Sequence, residues 1–263
     1  MFKAGKRKRT AAHFLVLRRR HLALLAAALG AAAIFSAVQM PAAVTAAAAV
    51  RQLPIYCVER DQKVCAISFD AAWGADNTGK ILDVLDEYGV KATFFVVGAW
   101  AEQYPDTAKQ IAARGHEVMN HSSRHDHFNS LSAEQIIADV TKCNETVAAL
   151  TGVTPTLIRC PFGEYDDHVI AAIRSMGMEP VQWDVDSLDW KGISAAEITK
   201  RVTGKVGNGS IVLFHNAGEH TPEALPEILR TLIGEGYEII PVGKLLLQGD
   251  YTLDHEGRQH AVK

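Results

Sequence analysis

The sequence contains no Cys-x-x-Cys pair, so nothing in it has the spacing of a zinc ribbon or a dithiol redox motif. Acidic residues are missing from the first twenty positions, which carry eight Lys or Arg, and charge of either sign is missing from the Ala/Leu-rich run 22–38. A basic flank followed by an uncharged run is the pattern of a signal peptide or signal anchor rather than of a fold. The run is slightly short for a spanning helix, which needs about 20 apolar residues. Small residues at 46–48 offer a cleavage site, and an uncleaved anchor fits equally well. Either way the positive flank stays inside and the following domain is exported, secreted or held at the membrane. The formal net charge of -3 for the whole chain hides an asymmetry: with the basic head set aside the remainder is distinctly acidic, which argues against a nucleic-acid surface.

What is present suffices for one sizeable core, since the 263 residues are 48% hydrophobic and 22% charged. The expected organisation is a head, apolar segment and small-residue linker over 1–50, one domain over 51–250, and a polar tail over 251–263. Of the four cysteines, Cys57 and Cys65 fall in two strand-like stretches around 54–58 and 64–69. A hairpin would set them opposite one another, a disulfide in an oxidising compartment and two half-buried thiols in a reducing one. Cys143 lies on an apolar helix face, and Cys160 falls within a motif described below.

From Asp76 onward helical and strand patterns alternate. Ile81, Leu82, Leu85 and Tyr88 recur at helical spacing before Gly89, and 92–97 is a continuous β-rich run. A helix is expected over 100–113, a short strand over 117–119, and a helix opened by the capping-box pair Ser132 and Gln135. Strands follow near 155–158, 180–183, 210–214 and 237–240. Repeated β-then-α units imply an α/β fold with a parallel sheet.

Five strand ends carry polar, chemically capable clusters. The first strand closes on Asp70, followed by Ala71, Ala72, Trp73 and Gly74. Next come His121 and His125, whose i,i+4 spacing would place both imidazoles on one side of a helical turn, with nitrogen ligands suited to zinc or a similar divalent metal. Arg159 begins Arg-Cys-Pro-Phe-Gly, a permanent cation able to hold a carboxylate ionised ahead of a turn able to aim N–H groups at an oxyanion. Trp183 to Trp190 combines acids, Asp189 among them, with indoles of the kind that hold sugar rings. His215 ends the fifth strand, with the side chain best matched to moving protons near neutrality. Singly, each cluster has an ordinary structural reading; five on one mouth require the sheet to curl, so a barrel is expected.

In order and spacing the five stretches resemble the polysaccharide deacetylase family, the NodB-homology domain or carbohydrate esterase family 4. The Phe-Asp-Ala-Ala-Trp-Gly form of the first is most similar to the sporulation-associated PdaB-type subgroup. The resemblance covers about Val64 to Leu247. It implies a distorted (β/α)-barrel and metal-dependent hydrolysis of N-acetyl groups on amino sugars such as those of peptidoglycan or chitin. By resemblance Asp70 is the general base, Arg159 its orienting partner, His215 the general acid and Asp189 the residue that orients the acid. His121 and His125 match the metal ligands, Phe162 lies where a backbone N–H assists the oxyanion, and Trp190 and Trp73 stand at the substrate. One departure matters: the family's second aspartate, a metal ligand, is here Ala71. Asp76, Asp126 or His127 could supply the third ligand, Asp70 could lean onto the ion, or water could fill the place. That gap keeps a rival reading open, a catalytically weak or inactive cell-wall glycan-binding protein on the same fold.

Overall fold

The computed structural model describes residues 51–262, together with helical positions 23, 24 and 27 of the preceding segment. The basic head, the rest of the uncharged run and the linker over 42–50 lie outside the described residues. Among the described residues no helix is long and apolar enough to cross a membrane.

The central strand is β2 (Val64–Ala71), buried along its whole length. Its odd-numbered side chains Ile67, Phe69 and Ala71 turn toward the helices, where Phe69 stacks on Phe94 at 4.8 Å and on Phe214 at 5.6 Å. Because successive strand residues face opposite ways, Val64, Ala66, Ser68 and Asp70 share the other face. Val64 and Ala66 pack there with Phe95, Met119 and Leu157.

Strands β3 (Thr93–Val96), β4 (Glu117–Asn120), β5 (Leu157–Ile158) and β6 (Glu179–Pro180) extend the sheet on one side of β2. β8 (Ile211–His215) and β7 (Val185–Asp186) extend it on the other, while β9 (Glu238–Ile239) pairs with the start of β2. The order is β6-β5-β4-β3-β2-β8-β7, every pair is parallel, and the sheet curls as a distorted half-barrel. Helices α1 (Thr78–Glu87), α2 (Gly98–Gln103), α3 (Pro105–Ala113), α4 (Ala133–Thr151), α5 (Asp167–Ser175), α6 (Ala195–Thr203), α7 (Thr221–Gly234) and α8 (Val242–Leu245) make the connections.

The single helix expected over 100–113 is instead two, α2 and α3. Pro105 pushes its predecessor out of helical geometry, and Tyr104 sits at φ -124, ψ 56. Ser132 and Gln135 do form the capping box of α4, and Gly152 at φ 78 stops that helix.

The expected hairpin around Cys57 and Cys65 does not form. Both edges of β2 are already taken, by β3 and β9 on one side and by β8 on the other, so β1 (Cys57–Val58) has no free edge to join. It pairs in parallel with β11 (Arg258–Ala261), which in turn pairs with β10 (Tyr251–Leu253). The segment read as a polar tail thus supplies two strands of a second, three-stranded sheet. Cys57 and Cys65 are free and buried, and burial pushes their thiols up to about 11 and about 12. Cys143 and Cys160 are likewise free and buried.

Candidate active site

The register of β2 sets the site. Asp70 is paired with His215 on β8 and with Phe95 on β3, so the carboxylate and the imidazole leave adjacent strands at the same level. Asp70 is 6% exposed, and its Oδ1 accepts a 2.7 Å hydrogen bond from Nη1 of Arg159. The Arg159 guanidinium is wholly buried, 4.2 Å from the Phe95 ring and 5.4 Å from that of Trp183. Its Nη2 donates to Ser68 Oγ at 2.9 Å and to the Gln182 carbonyl at 3.0 Å. Burial opposes charge on Asp70, but Arg159, aided by His121 and His215, outweighs it and holds the carboxyl below its ordinary range. A buried pair of this kind adds little net stability, yet it fixes the direction of the carboxylate.

His121 follows β4. Its Nδ1 lies 2.7 Å from the Arg159 carbonyl, which can only accept, so that nitrogen carries the hydrogen and Nε2 presents a lone pair. Nε2 faces Asp70 Oδ2 at 3.5 Å. The His125 ring stands 4.9 Å from that of His121 at 73°. Burial lowers the pKa of His121, and burial followed by the neighbouring His121 takes His125 down to about 4, so both rings keep free lone pairs at neutrality. The helical turn expected over 121–125 is replaced by a loop, with Ser122 at φ 71 and His125 at φ 63. Asn120 ties this loop down, accepting from Ser122 N at 2.7 Å while donating to the Val140 carbonyl and to Asn144.

Phe162 occupies a turn over Pro161–Gly163 in left-handed geometry, φ 59 and ψ 5, with 53% of its surface exposed. Leu188, at φ 58, starts the turn Asp189–Lys191. The four non-glycine residues with positive φ among the described residues, Ser122, His125, Phe162 and Leu188, thus all lie in loops at this end of the sheet. Strain concentrated in this way is characteristic of functional loops.

Asp189 is 1% exposed and saturated with donors. Its Oδ1 accepts from His215 Nδ1 at 2.8 Å, and its Oδ2 accepts from His215 N at 2.8 Å and from Thr221 Oγ1 at 2.6 Å. Burial pulls the pKa of His215 down, but the Asp189 hydrogen bond and the charges of Asp70 and Asp189 more than offset it, and the net shift is upward. His215 is therefore an imidazole built to carry a proton.

These groups line one cavity of about 720 Å³. Asp70, His121, His125, Phe162, Asp189, His215, Trp73 and Trp190 all contribute to its wall, and Arg159 lies beneath it. Trp73 is 60% and Trp190 57% exposed, so two indoles stand open at the mouth. Sequence reasoning missed Glu219 in the lining and Ser68 and Thr221 as anchors, and gave no individual role to Asp186 and Leu213, which belong to the fourth and fifth clusters. Ser68 was findable: two residues before Asp70 on a strand, it must share that face.

A divalent ion is compatible in kind with His121 and His125, two neutral imidazoles beside a carboxylate oxygen that faces a lone pair. The number of ligands falls short. Among the described residues no group of three or more His, Cys, Asp or Glu is arranged to hold a metal. Ala71 is buried in the hydrophobic cluster with Phe69. Asp126 leans on Arg124 at 3.5 Å, and His127 is bonded to Glu164 at 2.9 Å. An ion here would be held by the imidazole pair and solvent, with reduced affinity.

Comparison with known proteins agrees with this geometry. Residues 58–181 match the family model described as polysaccharide deacetylase. The chain is 34% identical to the peptidoglycan-N-acetylmuramic acid deacetylase PdaC of Bacillus subtilis, over 72% of this chain and 40% of that protein. It is 31% identical to a peptidoglycan-N-acetylglucosamine deacetylase of Bacillus cereus, over 72% of this chain and 91% of that one. The chain spans between 40% and 65% of the length of PdaC and of two further curated relatives. Among solved structures, a carbohydrate esterase family 4 pseudoenzyme from Bacillus anthracis superposes with a TM-score of 0.71 at 32% identity, covering 73% of this chain and 68% of that one. A peptidoglycan N-acetylglucosamine deacetylase in complex with a hydroxamic acid gives 0.69 at 32%, covering 73% and 91%. The curled parallel sheet, the ordered strand-end clusters and these similarities together establish that the chain belongs to the polysaccharide deacetylase family.

Proposed function

We propose that this protein hydrolyses N-acetyl groups on the amino sugars of a cell-wall glycan, peptidoglycan above all. The observation that carries the reading is the pairing across β2 and β8. A carboxylate kept ionised by Arg159 and an imidazole kept protonatable by Asp189 face one cavity from neighbouring strands. Pure binding requires neither. In the hydrolysis Asp70 accepts a proton from a water molecule as that oxygen bonds to the acetamide carbonyl carbon. The Phe162 N–H supports the negative charge that collects on the carbonyl oxygen. His215, its Nδ1 held by Asp189, gives a proton from Nε2 to the sugar nitrogen as the carbon–nitrogen bond breaks. Acetate and a free amino sugar result. Trp73 and Trp190 supply flat faces for sugar rings at the mouth. His121 and His125 are the residues that would hold a divalent ion, zinc or a similar metal, which when bound contributes Lewis acidity toward the carbonyl oxygen and toward water.

The first motif supports a place beside the sporulation-associated PdaB-type deacetylases. The basic flank and uncharged run support export, with the domain secreted or anchored at the membrane. Acetate release from N-acetylglucosamine oligomers and from purified peptidoglycan, measured with and without added zinc, tests the activity. Similarity to a structure described as a pseudoenzyme, together with Ala71, favours a second reading as a glycan-binding protein. Glycan binding without acetate from any of these substrates would establish that reading in place of the first.

A further inference from the structure

Phe162 poses a physical problem. It has a Cβ, it sits at φ 59, and 53% of the residue's surface is exposed, so burial alone does not hold it in a conformation that L-residues avoid. His127 supplies the restraint. Its ring stacks on that of Phe162 with centroids 4.2 Å apart and planes 10° apart, and His125 stands against the same ring at 4.4 Å and 71°. His127 Nδ1 meets Glu164 Oε2 at 2.9 Å, two residues beyond Phe162 in the chain. The contacts close a loop: ring on ring, nitrogen to carboxylate, then back along the main chain through Gly163. The base of the loop is fixed as well. The His127 carbonyl accepts from Ser130 N at 3.0 Å and from Ser130 Oγ at 2.7 Å, and the intervening Phe128 is fully buried.

We propose that His127, with Glu164, is a positioning residue that holds Phe162 in its left-handed conformation and thereby fixes one wall of the cavity and the main-chain N–H at that position. Its consequence for rate rests on the deacetylase reading; its consequence for local order does not. Stacking accounts for the restraint, so an aromatic ring of any protonation state at 127 should serve.

The test compares wild type, His127→Ala, His127→Phe and Glu164→Gln at one fixed pH, by acetate release and by amide hydrogen exchange at 160–164. In His127→Ala the structure leads us to expect kcat lower by about tenfold with KM changed by less than about threefold, as misplacement of a reacting-centre group does. Exchange at Gly163 and Glu164, whose N–H groups donate to the Cys160 and Pro161 carbonyls at 3.1 Å, should rise by about tenfold while exchange in β2 and β8 stays as in wild type. His127→Phe should recover most of both effects, and Glu164→Gln should fall between wild type and His127→Ala. Wild-type exchange at Gly163 and Glu164 in His127→Ala, or no recovery in His127→Phe, would overturn the proposal. If wild type itself releases no acetate, the deacetylase reading fails, and the exchange measurement still decides the role of His127.

Discussion

Replacing Asp189 by Asn isolates what that carboxylate does for His215. The side chain keeps its size, and its remaining oxygen can still accept from His215 N and Thr221 Oγ1, the two donors now on Oδ2. The new NH2 group must then face His215 Nδ1, which in the native protein donates to Oδ1 at 2.8 Å. Two donors cannot share that contact, so Nδ1 has to become an acceptor and the ring hydrogen moves to Nε2. A hydrogen bond to a charged group contributes about 1.5–3 kcal/mol, and one pKa unit corresponds to about 1.4 kcal/mol. His215 in Asp189→Asn should therefore titrate roughly one to two units lower than in wild type. Its protonated form is the proton donor, so activity is lost as pH rises through its pKa, and the alkaline limb of the rate profile should move to lower pH by the same amount. Stability shifts in the same sense. The contribution of a raised His pKa is complete below the unfolded value and disappears as pH rises through the folded one, so wild type should lose part of its advantage over the variant on going alkaline. The assay is an NMR titration of the His215 Cε1–H in both proteins, paired with pH profiles of acetate release. An unshifted His215 titration, or an alkaline limb that stays in place, would refute the assignment of acid and orienting partner.

Arg159→Met strips Asp70 of its cation in a fully buried setting and should destabilise the fold by about 3–5 kcal/mol in urea unfolding at neutral pH. Because the Asp70 pKa is depressed in the folded state, that contribution exists above the unfolded carboxylate pKa and vanishes as pH falls through the folded one; the gap between wild type and variant should narrow in acid, and a constant gap would contradict the pairing. Gly209→Ala would place a Cβ 1.7 Å from the Val58 carbonyl oxygen at φ 78, and a loss of more than about 2 kcal/mol, or no soluble protein, is expected from calorimetry of the purified variant. Zinc at about 100 times its dissociation constant should stabilise the wild-type protein by about 2.7 kcal/mol, read as a rise in Tm. The double variant His121→Ala, His125→Ala should show no such rise; equal shifts in the two proteins would place the ion elsewhere.

Long-range competition explains most of what the sequence did not reveal. β2 is legible because six consecutive residues, Val64 to Phe69, are apolar or small ahead of Asp70, and its register with β8 places that carboxylate beside His215. β5, β6, β7 and β9 have two residues each, too few to show any period, and only their neighbours make them strands. The Cys57 to Cys65 hairpin is the best local pairing, but β3 and β8 claim both edges of β2 from far along the chain. The i,i+4 spacing of His121 and His125 correctly predicts that the rings meet, for the wrong reason: the backbone between them is a strained loop, and two positive φ angles bring the rings within 4.9 Å. The last strands were hidden because their buried partner is polar. Gln259 is 1% exposed and exchanges hydrogen bonds with the main chain of Leu247, an arrangement that hydropathy does not register.

The in-register meeting of Asp70 and His215 places the two groups of the proposed proton transfers on facing rungs of one ladder, their strand backbones about 4.8 Å apart. Their separation is thus a property of backbone geometry that no surface insertion can stretch. The loops bearing Trp73, Phe162 and Trp190 are free of that constraint, so the mouth of the cavity can be rebuilt while the spacing of Asp70 and His215 is kept.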